Sequence, residues 1–443
     1  MRLSNSYPAL LKMSLPLMLG TFIQSIVMIT DASFLSRFST LSFDASGNAG
    51  LIYVTLFMGL TGFGDAAQIV MARRTGEGKH GQVNGLLQSS FLINLVVGAI
   101  FFSLIMFVVP DMLKGYSRSQ PLANEQIDFL TIRSFGFFMA AIMLSMNAFF
   151  MAIGKTWVIM LSTAVFAVSN ILLDQLLIFG FDGFSPMGIK GAALASVISE
   201  GLAIVLLFII LMNSEERKLF KLFSALDIKL KAIFKLIKIG LPLVIQGFFA
   251  LATWTVFFTW IEQKSTYELT VSQNIRAVYF LAFVPIFGLG ATTKTYVAQY
   301  MDVKSPKLIS ITVKRIQILT ILFLILIFHG AILYPEFLVS TINPKEAYIE
   351  DSANILQLIF WSILIFGFST PYFQTINGSG NTRVTLLIEL ISIIAYLIFA
   401  YLFIKVWNFE IKIIWTVEYI YFGTIGLLSI LYLNIFNWRK KVY

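Results

Sequence analysis

The chain has no cysteine and only two histidines, His80 and His329, among its 443 residues. The first absence excludes disulfides, thiol chemistry and any Cys-based metal site. The second leaves little from which to build a His-rich one. Charge is scarce as well: 12% of residues are charged, against about a quarter in a soluble globular chain. Short alternating strands, the mark of an outer-membrane barrel, are missing. Phe91 to Val109, for example, runs without a single charge.

What remains is apolar. At 58% hydrophobic, the chain can fill about 12 spans of about 20 residues each. That composition excludes a soluble enzyme, a disordered chain and a nucleic-acid-binding module. The net charge of +9 reads as basic loops on one side of a membrane. Residues Met1 to Pro8 lack a cleavable signal pattern, so the first apolar run is expected to stay as a helix.

Twelve segments follow from the hydrophobic runs. They are Leu10–Leu35, Gly50–Ala72, Leu86–Pro110, Ile127–Ile153, Trp157–Gly180, Met187–Met212, Leu236–Ile261, Arg276–Gln299, Leu308–Leu333, Ser352–Ile376, Val384–Ile404 and Lys412–Ile435. Lipid offers the backbone no hydrogen-bond partner, so each must be a helix. With the N-terminus inside, 21 of the 32 basic residues fall on the inner side. They include Arg73, Arg74, Lys79, Lys155, Lys304 and Lys441, and a dense run from Arg217 to Lys238. The positive-inside rule then puts both termini in the cytoplasm, as expected of a multi-pass protein of a bacterial inner membrane. Trp407 and Trp415 flank an outer turn and Trp438 sits at the inner edge, in the manner of an aromatic belt.

The two halves align at a constant offset of 226. Lys12, Leu15, Pro16 and Phe22 match Lys238, Leu241, Pro242 and Phe248; Gly62, Gly64 and Ala72 match Gly288, Gly290 and Ala298; Gly154 and Thr156 match Gly380 and Thr382. Each half holds an even number of helices, so the repeats are parallel and related by an axis along the membrane normal. The expected fold is all-α: twelve transmembrane helices in two parallel six-helix bundles. Residues 1–212 form one lobe, 213–235 a cytoplasmic linker and 236–443 the other lobe. Parallel six-helix halves are a transporter signature. An old duplication kept only for packing is the plain alternative.

Leu15-Pro16-Leu17 followed by Asp31, the stretch Gly62 to Lys79, Gly191-Ala192-Ala193-Leu194-Ala195-Ser196, and the turn Asn377-Gly378-Ser379-Gly380-Asn381-Thr382 make a further point. In order and spacing the chain resembles the multidrug and toxic compound extrusion (MATE) family. The resemblance implies a central cleft opening to alternate sides. It also implies export of amphipathic or cationic compounds in exchange for H⁺ or Na⁺.

Ionisable groups inside the segments need a reason, because each costs about 2.5–3.5 kcal/mol at the bilayer centre. Asp31, Asp65, Asp174, Glu200, Lys294 and Glu389 are the candidates. Asp31 lies roughly 22 Å up segment 1 from Pro16, and Asp174 roughly 25 Å up segment 5 from Trp157. Asn170 is one turn before Asp174 on the same face. Ser196 lies roughly 13 Å down segment 6. All four can reach one polar layer in the outer half of the first lobe. Two carboxylates there do not both ionise easily, and a proton or Na⁺ relieves the cost. Asp31, Asn170 and Asp174 also match, in spacing, the cation site of the branch of the family that resembles the DNA-damage-inducible F protein. The resemblance carries a hydroxyl to Ser196. At offset 226 these positions become Phe257, Tyr396 and Ala400, so the second lobe lacks the set. The norfloxacin-exporter branch carries a glutamate on segment 7, but Ala250 stands in that region here.

Gln24, Asn147, Glu200, Lys294 and Glu389 are candidates for the substrate cavity, and helix-packing hydrogen bonds explain polar groups there equally well. Pro16 and Pro242 interrupt segments 1 and 7 and are candidate hinges. No cofactor and no metal are expected beyond H⁺ or Na⁺ at Asp31 and Asp174. The expected partners are small-molecule substrates and the bilayer, with no nucleic acid, and the chain is expected to be a monomer. A flippase for a lipid-linked oligosaccharide is the competing reading; it needs a cationic cavity for pyrophosphate, and Lys294 is the clearest base within a span. No His-Glu-x-x-His or Gly-x-Ser-x-Gly motif is present, so no enzyme is expected.

Overall fold

The computed structural model describes residues 3–117, 119–180, 183, 185–302 and 306–440. Arg2, Lys304 and Lys441, counted above as inner basic residues, lie outside these. Among the described residues all regular structure is helical. The membrane-spanning elements are α1 Tyr7–Phe38, α2 Thr40–Gly76, α3 Val83–Phe107, α4 in two pieces (Gln120–Arg133 and Gly136–Ala152), α5 Thr156–Phe179 and α6 Ile189–Met212. They continue with α7 Leu230–Glu262, α8 Thr266–Tyr300, α9 Pro306–Phe328, α10 Glu346–Gly378, α11 Thr382–Tyr401 and α12 Val417–Ile435. Among the described residues eleven helices are long and apolar enough to cross a membrane, or twelve when the two pieces of α4 are taken as one span.

α4 departs from the expected straight span. Its pieces meet at 42°. Ser134 Oγ donates back to the Thr131 carbonyl at 2.8 Å, and a glycine follows at 136. Ser/Gly pairs are a recognised cause of kinks. Several helices also outrun their apolar segments. α2 begins ten residues before Gly50 because Ser39 accepts a hydrogen bond from the Ser42 N–H. α8 begins ten before Arg276 because Ser265 accepts from the Glu268 N–H. Such caps satisfy backbone donors that a helix end leaves free. Ser39 and Ser265 are themselves 226 apart. So are Gly154 (φ +77°) and Gly380 (φ +85°), which both adopt the left-handed backbone that glycine tolerates. The repeat is therefore written in caps and turns.

The chain forms two compact units. One is Leu15–Val244; the other is Leu3–Ser14 with Ile245–Tyr443. In the first, small residues let helices approach closely. A Cβ on Gly191 would lie 2.6 Å from the Leu177 backbone, which explains the Gly191-Ala192-Ala193 run opening α6. Residues 213–235 are not a loose tether. Glu215–Leu219 is helical, Phe220 is fully buried, and its ring lies 4.9 Å from His80. Asn84 and Gln88 on α3 strap the following stretch: Asn84 accepts from the Phe223 N–H at 3.0 Å, and Gln88 accepts from the Asp227 N–H at 2.7 Å. Both side-chain amides donate to the Ala225 carbonyl.

The second unit has an aromatic core around Phe257, Tyr279, Tyr396, Trp415 and Phe422. Trp415 belongs here and not to an interfacial belt. It is fully buried, and its indole N–H donates to Ser272 Oγ at 3.1 Å, so its polar end needs no water. Trp407 stays half exposed.

Candidate functional site

Two long helices bring the carboxyls together. Asp31 on α1 and Asp174 on α5 are side-chain neighbours. Asn170 and Asp174 are fully buried, and Asp31 is half-buried. Among the described residues, Asp31 Oδ1, both carboxyl oxygens of Asp174, and the Oδ1 and Nδ2 of Asn170 have no hydrogen-bond partner. An unsatisfied buried polar atom costs about 1–3 kcal/mol, more when charged. A proton shared between the carboxyls satisfies part of this set. A small oxygen-seeking cation between Asp31, Asp174 and the Asn170 carbonyl satisfies more of it. Ser196 is nine-tenths buried on α6. Gly191 abuts Leu177. Because the two helices are antiparallel with equal rise per residue, Ser196 lies level with the stretch between Asn170 and Asp174.

A second polar group stands beside this one. Arg133, the last residue before the break in α4, makes a bidentate pair with Glu200 on α6 at 2.6 and 3.1 Å. Its guanidinium lies 4.1 Å from the Tyr53 ring centroid on α2. A Cβ on Gly136 would come within 2.0 Å of the Arg133 Nη1, so the glycine leaves the space that the guanidinium occupies. Arg133 is within electrostatic reach of Asp31, but its hydrogen bonds go to Glu200. Glu200, read above as a cavity candidate, is thus committed to a buried ion pair. Fork-to-fork geometry of this kind is characteristic of arginine.

The other candidates are scattered. Gln24 is exposed on α1, and Asn147 on the second piece of α4 has a buried Oδ1 without a partner. Lys294 is buried on α8 in the second unit, where its carbonyl crowds Gly378. Glu389 on α11 is also in the second unit and accepts a short hydrogen bond from Tyr421. Pro16 and Pro242 lie inside α1 and α7.

Sequence reasoning passed over Arg133, Tyr53 and Glu418. Glu418 on α12 is buried and accepts from Tyr279 at 3.0 Å and Tyr396 at 3.2 Å. The second unit therefore lacks the Asp31 set but is not without a carboxyl. Phe257 and Ala400 do pack as apolar core, while Tyr396 turns its hydroxyl to Glu418. The available signal was the repeat: Tyr53 and Tyr279 are 226 apart, and each faces a group bound to, or being, a buried glutamate.

Comparison with known proteins decides the family. The MatE family model matches residues 16–176 and again 239–402, one match in each half. The chain belongs to the MatE family. Among relatives of this MatE protein is the probable multidrug resistance protein NorM of Thermotoga maritima, 25% identical over 390 residues, covering 87% of this chain and 82% of the relative. The NorM of Agrobacterium fabrum is 24% identical over 380 residues, covering 84% and 79%. The fold is shared with an outward-facing multidrug resistance MATE family transporter of the MOP superfamily: TM-score 0.85, 16% identity, 98% of this chain and 96% of that one. A MOP superfamily transporter from Pyrococcus furiosus gives the same values. MatE proteins are a transporter family, so this is a multi-pass membrane transporter fold. The relatives carry the NorM name, so the resemblance to the DNA-damage-inducible-F-like branch rests on Asp31, Asn170 and Asp174 alone.

Proposed function

We propose that the protein is a cation-coupled antiporter that exports amphipathic or cationic drug-like compounds by alternating access. H⁺ or Na⁺ enters at Asp31 and Asp174, with Asn170 and Ser196 completing the site. The observation that carries this is the set of unpartnered buried polar atoms on α1 and α5. A packing role would pair them; an exchanged cation is what such a set is suited to hold. The multidrug resistance names of the relatives support the substrate class. Gln24 and Asn147 are the remaining polar candidates for the substrate cavity in the first unit. Pro16 and Pro242 are the proposed bending points: both lie within two residues of the places, after Ser14 and after Val244, where α1 and α7 pass from one unit to the other. The protein works without a cofactor, as a monomer in the bilayer, and performs no enzymatic chemistry.

In proteoliposomes loaded with a fluorescent lipophilic cation, efflux is expected to follow an imposed H⁺ or Na⁺ gradient and to stop when an ionophore collapses it. Equal efflux with and without a gradient would overturn the coupling. The proposed location is the inner membrane, with both termini cytoplasmic. A reporter fused after Met212 is then expected to report cytoplasm, and one inserted at Asn343 the outside. The reverse pattern would invert the proposed orientation.

A further inference from the structure

The strap that Asn84 and Gln88 hold against α3 creates a cavity. Its volume is about 280 Å³, and Arg74, Gln82, Asp227, Lys229, Lys231 and Lys235 line it. Gly85 makes the close approach possible, since a Cβ there would meet the Asp227 carbonyl oxygen at 2.5 Å. The wall is therefore built and held, not a chance arrangement of surface lysines.

The charges around it do not balance. Glu77, at the end of α2, is engaged by Arg73 at 3.1 Å, by Lys79 at 2.9 Å and by Arg74. Asp227 pairs with Lys229 at 2.9 Å. Lys235 is half-buried and lies within electrostatic reach of Arg73, Arg74 and Lys79, with Glu77, already engaged by those three, as the one carboxylate in reach. Among the described residues neither Lys231 nor Lys235 makes an ion pair. Concentrating like charge in a half-buried cleft is costly unless an anion enters it.

The surface next to the cavity says which kind of anion. Leu230, Phe234, Ile237 and Leu241 recur at helical spacing on α7 and are 66%, 63%, 36% and 48% exposed. None of the four lines the cavity: the stripe begins at Leu230, between the lining residues Lys229 and Lys231, and runs along the neighbouring face of α7. A free phosphate has no use for it; acyl chains do. We infer that the cavity binds the phosphate headgroup of an anionic phospholipid, whose tails lie along α7. The shared chemistry of headgroup and free anion is a phosphate oxyanion held by Arg74, Lys231 and Lys235. The inference does not depend on what the protein transports.

The test uses the full chain in non-ionic detergent, titrated with phosphatidylglycerol, phosphatidylcholine or inorganic phosphate. Bound lipid is counted by native mass spectrometry. The wild type is expected to bind one tight phosphatidylglycerol and to respond to neither alternative. A basic residue near an anionic leaflet changes affinity about fivefold. Lys231→Gln/Lys235→Gln should therefore weaken that lipid about 25-fold. Lys218→Gln/Lys221→Gln, altering another basic surface of the same connector, should change it by less than about twofold. Lys231→Arg/Lys235→Arg should keep it. Equal losses in both glutamine pairs would reduce the effect to general surface charge and overturn the site. Full occupancy by inorganic phosphate alone would overturn the assignment to lipid. Equal retention of phosphatidylcholine would overturn the role of charge.

Discussion

Reconstituted at matched protein level, Asp31→Asn/Asp174→Asn is expected to lose gradient-driven efflux down to the leak of protein-free vesicles. Asparagine keeps the shape of aspartate but cannot change charge when a cation arrives. Each single substitution should produce nearly the full loss, because either one already breaks the shared site, so the two losses should not add and the double should be little worse than either single. Stability should move the other way. Asp174 is fully buried, Asp31 is half-buried against it, and among the described residues no other group satisfies Asp31 Oδ1 or either Asp174 oxygen. Neutralising them removes a desolvation cost, so the melting temperature should hold or rise. Loss of efflux with an unchanged or higher Tm separates a coupling defect from a folding defect. Export at near wild-type rate by the double variant would remove Asp31 and Asp174 from the mechanism. Glu389→Gln, in the second unit and already bonded to Tyr421, should be milder.

Glu200→Gln is expected to cause the largest loss of stability. Arg133 and Glu200 have side-chain exposures of 14% and 7%. Removing one partner of a buried pair costs about 3–5 kcal/mol, since the other charge is left behind in a low-dielectric setting. For a unit of this size that corresponds to a fall in Tm of about 10 °C. Gly136→Ala should act in the same direction by displacing the guanidinium. Arg133→Leu/Glu200→Leu should recover much of the loss, because replacing both members of a buried pair with apolar groups is often neutral. A Glu200→Gln protein that melts like the wild type would mean that the pair contributes nothing, as many surface pairs do.

The spans and the all-helical fold were legible because lipid permits so little else. The Asp31–Asp174 neighbourhood was legible too, through depth arithmetic on helices of fixed rise. Arg133 and Glu418 were not. Each stands six residues inside the expected start of its segment, where a charge costs little and reads as interfacial. Nothing in the local sequence says that Tyr53 or Tyr279 waits beneath it. The break in α4 was hidden for a related reason: Ser134 and Gly136 are also tolerated in straight membrane helices, so the pair that bends α4 does not by itself announce a bend. Trp415 misled because tryptophan favours interfaces until a buried acceptor such as Ser272 is supplied by a helix far away in sequence.

The placement of tryptophan has a practical consequence. Of the seven, only Trp157 belongs to Leu15–Val244; the other six lie beyond Val244. Trp254 stacks on Tyr279 with centroids 5.6 Å apart, and Tyr279 in turn holds Glu418. Intrinsic fluorescence of this protein is therefore almost entirely a spectroscopic readout of the half that does not contain Asp31. A fluorescence melt would follow the aromatic core and pass silently over damage at Arg133 and Glu200. The same emission makes Trp254 a built-in probe of the tyrosine–glutamate cluster. A tryptophan substituted for Phe34 or Phe179, whose rings touch edge-on at 5.9 Å on α1 and α5, would give the other half a signal of its own.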